Sequence, residues 1–156
     1  MGAKKKSSHF TNVPPGPFGP PLIGALLRIP WEAVRRGMLE RLHERGFGDL
    51  DIAHLSLFQF PGPQGAKPSE LAARLGASKQ SINHLLGQLE RLRYLERRDD
   101  LDDRRSRRIH LTRRGVAAVR TIREAVEDQE RVWGRRLGPK RLALLRDLLR
   151  DLSASP

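Results

Sequence analysis

Between Lys67 and Gly115 the chain sets out a helix, a glycine turn, a second helix and an arginine-laden hairpin with almost nothing between them. Pro68 suits the first turn of a helix, where a missing N–H costs nothing, and Leu71, Ala72 and Leu75 recur at helical spacing until Gly76 ends the run. Ser78 then offers a hydroxyl to the orphan N–H groups of a second helix, whose inner face carries Ile82, Leu85, Leu86, Leu89 and Leu92. Its outer face begins with Lys79, Gln80, Ser81, Asn83 and His84, side chains of a length and polarity that reach base edges in a major groove.

Helix pairs joined by a glycine turn also occur in proteins that never meet nucleic acid, so this half does not decide the matter. The next segment does more. Two short apolar runs, Leu92–Leu95 and Ile109–Leu111, flank a stretch crowded with charge, which predicts a β-hairpin with a charged tip. Arg97, Arg98, Arg104, Arg105, Arg107, Arg108, Arg113 and Arg114 outweigh Glu96, Asp99, Asp100, Asp102 and Asp103 there. Guanidinium forks suit phosphates and narrow minor grooves. Helix, turn, helix and basic hairpin together predict a winged helix-turn-helix, with Ser78, Lys79, Gln80, Ser81, Asn83 and His84 on the reading helix and Arg98, Arg104, Arg105 and Arg107 on the wing.

The run Asp100-Leu101-Asp102-Asp103-Arg104-Arg105, followed by Ile109-His110-Leu111-Thr112 and Gly115, resembles the wing of the MarR family (multiple antibiotic resistance regulators). Ser69-Glu70-Leu71-Ala72 leading to Ser78-Lys79-Gln80 is similar to that family's helix-turn-helix, and the resemblance spans about residues 20 to 152. It implies that Asp103 structures the wing beside a groove-entering Arg105. Leu101 stands where the family usually has proline, which lowers the rigidity expected of the tip and leaves its charge unchanged. By the same resemblance the chain would be a dimeric transcription regulator, often a repressor and often released by a small ligand.

Composition agrees with a basic binder: 30 Lys and Arg against 18 Asp and Glu leave a net charge of +12, for which a polyanion is the natural partner. With 156 residues and an aromatic share of 5%, a self-sufficient monomeric core is not expected, and a dimer would repair it. The chain has no cysteine, which excludes disulfides, thiolate zinc sites and the cysteine-based peroxide sensing of one branch of the resembled family. Leu22–Leu27 is too short for a signal-peptide core or a membrane span, so a cytoplasmic location is expected. Met1-Gly2-Ala3-Lys4-Lys5-Lys6 comes near an acylation signal but carries lysine at position 6, where Ser or Thr is needed.

Four segments follow from patterning. Residues 1–20 combine Lys4, Lys5 and Lys6 with Pro14, Pro15, Pro17 and Pro20 and read as a flexible basic arm, either a solubilising remnant or a source of extra phosphate contacts. Residues 21–50 place Ile23, Leu26, Leu27, Trp31, Val34, Met38 and Leu42 at intervals of three and four, an amphipathic dimerisation helix that Pro30 should bend or restart. Residues 51–115 form the DNA-binding module, opened by a short helix that Asp51 caps through Ile52, Leu55 and Phe58. Thr112 caps a helix that runs into residues 116–156, where Val116, Val119, Ile122, Val126 and Trp133 lie along one stripe, and after Gly138-Pro139 a second stripe runs through Leu142, Leu145, Leu148, Leu149 and Leu152. These faces exceed what a small winged helix needs, which predicts an intertwined two-fold dimer. The fold class is therefore mainly α with a small β-hairpin wing, a winged helix-turn-helix plus a helical dimerisation region.

In the resembled family effectors bind between the dimerisation helices and the winged helix. Trp31, Arg35, His43 and His54 should border that cleft, where an arginine near an aromatic ring would hold a carboxylate or phenolate; core packing for Trp31 and plain solvation for Arg35 and His43 are the alternatives. An enzyme is not expected. His43-Glu44 begins like a zinc-hydrolase motif but Phe47 stands where the second histidine belongs, no phosphate loop or Gly-x-Ser-x-Gly elbow occurs, and the five histidines lack metal-ligand spacing. No cofactor is implied. Two other readings stay open: a sequence-indifferent nucleoid or RNA binder, and a winged helix that binds protein.

Overall fold

The computed structural model describes residues 19–59, 62, 64–100 and 106–154. In chain order these give helix α1 (Ile23–Glu44), a 3-10 turn (Leu55–Gln59), helices α2 (Pro68–Leu75) and α3 (Lys79–Arg91), strands β1 (Leu95–Asp99) and β2 (Arg107–Leu111), and helices α4 (Arg113–Leu137) and α5 (Pro139–Ser153). The fold class read from the sequence is the one observed: helices dominate, and the strands form a two-stranded antiparallel hairpin. Of the expected basic arm, residues 1–20, residues 1–18 lie outside the described residues.

The chain divides between Ala33 and Val34 into two compact units. α1 runs through Pro30 as one helix and does not restart there, contrary to one expectation; proline removes a single backbone bond, and the bonds of the turns on either side carry the helix across. Its apolar stripe is split. Val34, Met38 and Leu42 are buried, whereas Ile23, Leu26, Leu27 and Trp31 are exposed, Trp31 to 47%.

The second unit packs around Tyr94. Its ring is wholly buried, edge-on to Phe58 at 5.8 Å and tilted against Phe47 at 6.1 Å, while Leu42, Leu57, Leu71, Ile82, Leu86, Leu89 and Ile109 complete the core. Asp51 accepts the Ala53 N–H at 2.9 Å and so caps the turn that leads into the 3-10 segment. Leu55 and Phe58 of that segment are buried; Ile52 is exposed. α2 ends on Gly76 in the left-handed region (φ 59°), with the Ala77 N–H returning to the Ala72 carbonyl.

The first strand starts later than the apolar run Leu92–Leu95 suggested. Leu92 to Tyr94 are consumed by the end of α3: Tyr94 N–H donates to Leu89 O at 2.8 Å and Arg93 N–H to Glu90 O at 2.9 Å, a Schellman closure with Arg93, not glycine, at φ 61°. The hairpin then pairs Leu95 with Leu111 through to Asp99 with Arg107. Ala66 adds a bridge to the far side of β2 by exchanging both backbone bonds with Ile109, at 3.0 and 2.9 Å.

Thr112 caps α4 by accepting the Gly115 N–H at 3.1 Å. The buried line of α4 differs from the expected valine stripe: it is Gly115, Ala118, Thr121 and Ala125. Val119, Ile122, Val126 and Trp133 are half-buried beside the core, and Val116 is exposed. Small residues let the helix axis approach closely, so the larger ones fall to either side of the line of contact. α5 buries none of its residues.

Candidate nucleic-acid interface

α3 is an amphipathic rod fixed at both ends. Ser78 Oγ accepts the Ser81 N–H at 3.0 Å and lies 2.8 Å from Ser81 Oγ, so these two hydroxyls are first of all a cap. Burial of Ile82, Leu86 and Leu89 turns Lys79, Gln80, Asn83 and His84 outward. Among the described residues these four make no hydrogen bond or ion pair. They are a row of donors and acceptors on a rigid helix with their bonding capacity unspent.

Beside them stands the wing, tied down at its root. Arg97 Nε donates to both oxygens of Glu90 on α3, each at 3.0 Å. Asp100 is buried at 2% exposure; its Oδ2 accepts from Ser106 Oγ and Arg108 Nε at 3.1 Å each and lies 3.1 Å from Lys67 Nζ, while its N–H donates to Ser106 O at 3.0 Å. Lys67 immediately precedes α2, so one carboxylate fastens both strands to the start of the helix-turn-helix. Arg98 and Arg107 project outward, Arg98 held by Glu96 at 2.5 Å and Arg107 3.6 Å from Asp99. The tip residues Asp103, Arg104 and Arg105 lie outside the described residues. Sequence reasoning gave the structuring role in this wing to Asp103 and overlooked Asp100, although a small acceptor at the last residue before a tip, with serine six positions on, is a signal for a closed turn.

A second fastening joins the connector after α1 to the far end of α3. Tyr94 Oη donates to Asp49 Oδ1 at 2.5 Å, and Arg114 Nη2 spans both Asp49 oxygens at 3.1 and 2.9 Å. Arg114 also donates to Leu92 O at 2.7 Å and stacks 4.2 Å above the Tyr94 ring. Burial alone would raise the Asp49 carboxyl, but the Tyr94 hydroxyl and the Arg114 charge outweigh it and hold the group below the ordinary carboxylate value. Burial, then the bond to Asp49, pushes the Tyr94 hydroxyl well above the usual phenol range.

The four residues expected at an effector cleft are differently placed. Trp31 is exposed on the part of α1 that precedes the division between the two units, and Arg35 is half-buried just after it. His43 bonds through Nε2 to Leu50 O at 2.8 Å. His54 is buried at 4% exposure; its Nδ1 accepts the Asp51 N–H at 3.1 Å, which leaves Nε2 as the N–H donor to Gln88 Oε1 at 3.1 Å. Both histidines thus serve the connector and the back of α3.

Residues 59–106 match the model of the MarR family. Through this segment the chain is similar to the family. It is 34% identical over 102 residues to the HTH-type transcriptional regulator PetP of Rhodobacter capsulatus, a match covering 65% of this chain and 61% of that protein's length. Among solved structures it resembles a MarR family transcription regulator (TM-score 0.66, 26% identity, 84% of this chain and 83% of that one). It also shares the fold of CouR from Rhodococcus jostii RHA1, bound to p-coumaroyl-CoA (TM-score 0.68, 21% identity, 86% and 93%). The MarR resemblance read from Asp100–Gly115 therefore holds. No described helix is long and apolar enough to cross a membrane.

Proposed function

We propose that this chain is a homodimeric MarR-family transcription regulator of the cytoplasm, a repressor that binds near-palindromic duplex DNA. In this reading α3 enters the major groove, with Lys79, Gln80, Asn83 and His84 reading base edges and Ser78 and Ser81 ordering its first turn. Arg98, Arg104, Arg105 and Arg107 carry the wing along the flanking minor groove, with Asp103 steadying its tip. The observation that carries the proposal is the unspent polar end of α3 beside a hairpin whose root is fastened to the same helix pair. Residues 51–115 are the DNA-binding module, residues 21–50 and 116–156 the dimerisation region, and residues 1–20 a basic arm. Support for the dimer comes from the leucines of α5 and the early part of α1, exposed in the single chain. Two recognition helices related by a two-fold would meet successive major grooves about 10 base pairs apart.

For release of the DNA, an aromatic or carboxylate effector fits the family, with Trp31, Arg35, His43 and His54 as its candidate contacts. His54 is the costliest of these to recruit, because it is buried and both its ring nitrogens would have to leave their hydrogen-bond partners. The test is fluorescence anisotropy on the DNA upstream of the chain's own gene and on a scrambled duplex of equal length, at low and near-physiological salt. A preference that survives the higher salt supports site-specific regulation. Equal, salt-sensitive binding to both would refute base reading at that DNA and favour a sequence-indifferent binder.

A further inference from the structure

From Arg131 to Arg146 the chain carries six Lys and Arg residues and no Asp or Glu. The stretch spans the end of α4, the corner at Gly138 and the start of α5. Arg131 is paired with Asp128, and Arg146 with Glu130 at 2.8 Å. Arg135, Arg136 and Lys140 have no carboxylate partner among the described residues, and all three are exposed, as is Arg141. The corner that carries them is rigid. Gly138 turns the chain at φ 81°, donates its N–H to Gly134 O at 2.9 Å and accepts the Leu142 N–H at 3.1 Å. Helix stability does not account for the charge. Arg135 and Arg136 complement the C-terminal end of the α4 dipole, but Lys140 and Arg141 stand in the first turn of α5, where a cation opposes the dipole and no acidic residue offsets it. α4 begins where the wing ends and runs for 25 residues, about 37 Å at 1.5 Å per residue. The corner is therefore a second basic surface, a helix length from the wing root.

We propose that the α4–α5 corner binds the phosphate backbone of a second DNA duplex, so that one molecule holds two duplexes, one on α3 and the wing and the other on Arg135, Arg136, Lys140 and Arg141. Three of these four are arginines, whose forked guanidinium groups match phosphate oxygens. The contact carries no base reading, because phosphates are the same at every step of the duplex. A membrane surface would also need an apolar face to insert, and the exposed leucines of α5 are taken up by the dimer proposed above; the choice of DNA over lipid rests on that dimer. Bridging further requires that α3 and the wing hold the first duplex, but the corner itself does not depend on them.

Two measurements on the full chain test this. In the first, the ¹⁵N-labelled protein is titrated with a short scrambled duplex while backbone amides are followed; shifts are expected at Arg136, Leu137 and Gly138 as a group distinct from those at Gln80 and Asn83. In the second, a duplex fixed to beads is saturated with protein and then offered an unrelated fluorescent duplex. The unaltered chain should retain the second duplex, and an Arg135→Gln/Arg136→Gln/Lys140→Gln variant should retain about tenfold less of it while occupying the first duplex equally, since three phosphate contacts are removed from one surface only. Unchanged α3 and core amide shifts in the variant would show that its fold is intact. Shifts at α3 without shifts at the corner, or equal retention of the second duplex by both proteins, would overturn the proposal. So would variant-sensitive binding to phosphatidylglycerol vesicles with no second duplex held, which would make the corner a membrane contact. Shifts at the corner without shifts at α3 would leave the corner standing and refute base reading by α3.

Discussion

Replacing Asp100 by asparagine removes one charge and almost no volume from the root of the wing. The side-chain oxygen that remains can still accept from Ser106, and the backbone bond to Ser106 O at 3.0 Å is untouched. What is lost is the charge shared with Arg108 and Lys67, each 3.1 Å away. A buried ion pair broken from one side costs about 3–5 kcal/mol when the abandoned charge stays buried. Here Arg108 and Lys67 retain 26% and 31% of their side-chain exposure and can turn to water, so about 2 kcal/mol is the better figure, two weakened charge-assisted bonds at about 1 kcal/mol each. The loss should fall on the wing before the rest of the fold. Ile109 and Ala66 exchange their backbone bonds directly beneath it, and 2 kcal/mol corresponds to a roughly 30-fold faster opening of those amides in hydrogen exchange. Leu86 and Leu89 amides, in the middle of α3, should be much less affected. DNA affinity should fall by about tenfold through disorder of the arginines the wing carries. If Ala66 and Ile109 exchange in Asp100→Asn as they do in the unaltered chain, Asp100 is not what fastens the wing and the electrostatic argument is wrong.

Three further outcomes are expected. Gly115→Ala places a Cβ 2.1 Å from the Tyr94 carbonyl oxygen and 3.1 Å from Leu111 Cδ2, so despite alanine's better helix propensity it should destabilise by about 1–3 kcal/mol, lowering a calorimetric melting temperature by several degrees; a rise would refute the close approach. Arg93→Gly should raise that temperature slightly, because the left-handed backbone costs a non-glycine residue about 1–2 kcal/mol while added freedom in the unfolded chain returns about 0.5–1 kcal/mol; a fall beyond 1 kcal/mol, about 3 °C, would mean that the Arg93 side chain itself holds the turn. The Asp49–Tyr94 pair should shape both limbs of stability against pH. Asp49, whose folded pKa is lowered, contributes above about pH 4 and loses that contribution as pH falls through its folded value. Tyr94, whose folded pKa is raised, contributes fully below about pH 10 and loses that contribution as pH rises further. Tyr94→Phe should therefore shift acid unfolding to higher pH and flatten the alkaline limb, and an unaltered profile would exclude the coupling.

The parts of this molecule legible in the sequence are those in which a local rule decides the outcome. Pro68, Gly76, Ser78 and Thr112 act on backbone groups within a few residues, and α2, α3 and α4 begin or end where those residues stand. The amphipathic face of α3 followed for the same reason, since 3.6 residues per turn leaves only one assignment of Ile82, Leu86 and Leu89 to the core. What escaped the sequence is what depends on distant partners. Val116 sits at an apolar spacing and is nevertheless exposed, because the Tyr94 carbonyl comes so close to Gly115 that the line of contact runs through small residues. Asp100, one aspartate among four near the tip, is distinguished only by Lys67 and Arg108 converging on it from outside the turn. Asp49, Tyr94 and Arg114 are far apart in the chain and meet only once α1, α3 and α4 are in place. Those long-range fastenings lie at the wing root and at the far end of α3, the two points that set the angle between α3 and the wing. The polar residues of α3 can be recognised from their own sequence, but their direction in space is set by carboxylates whose importance only the fold reveals.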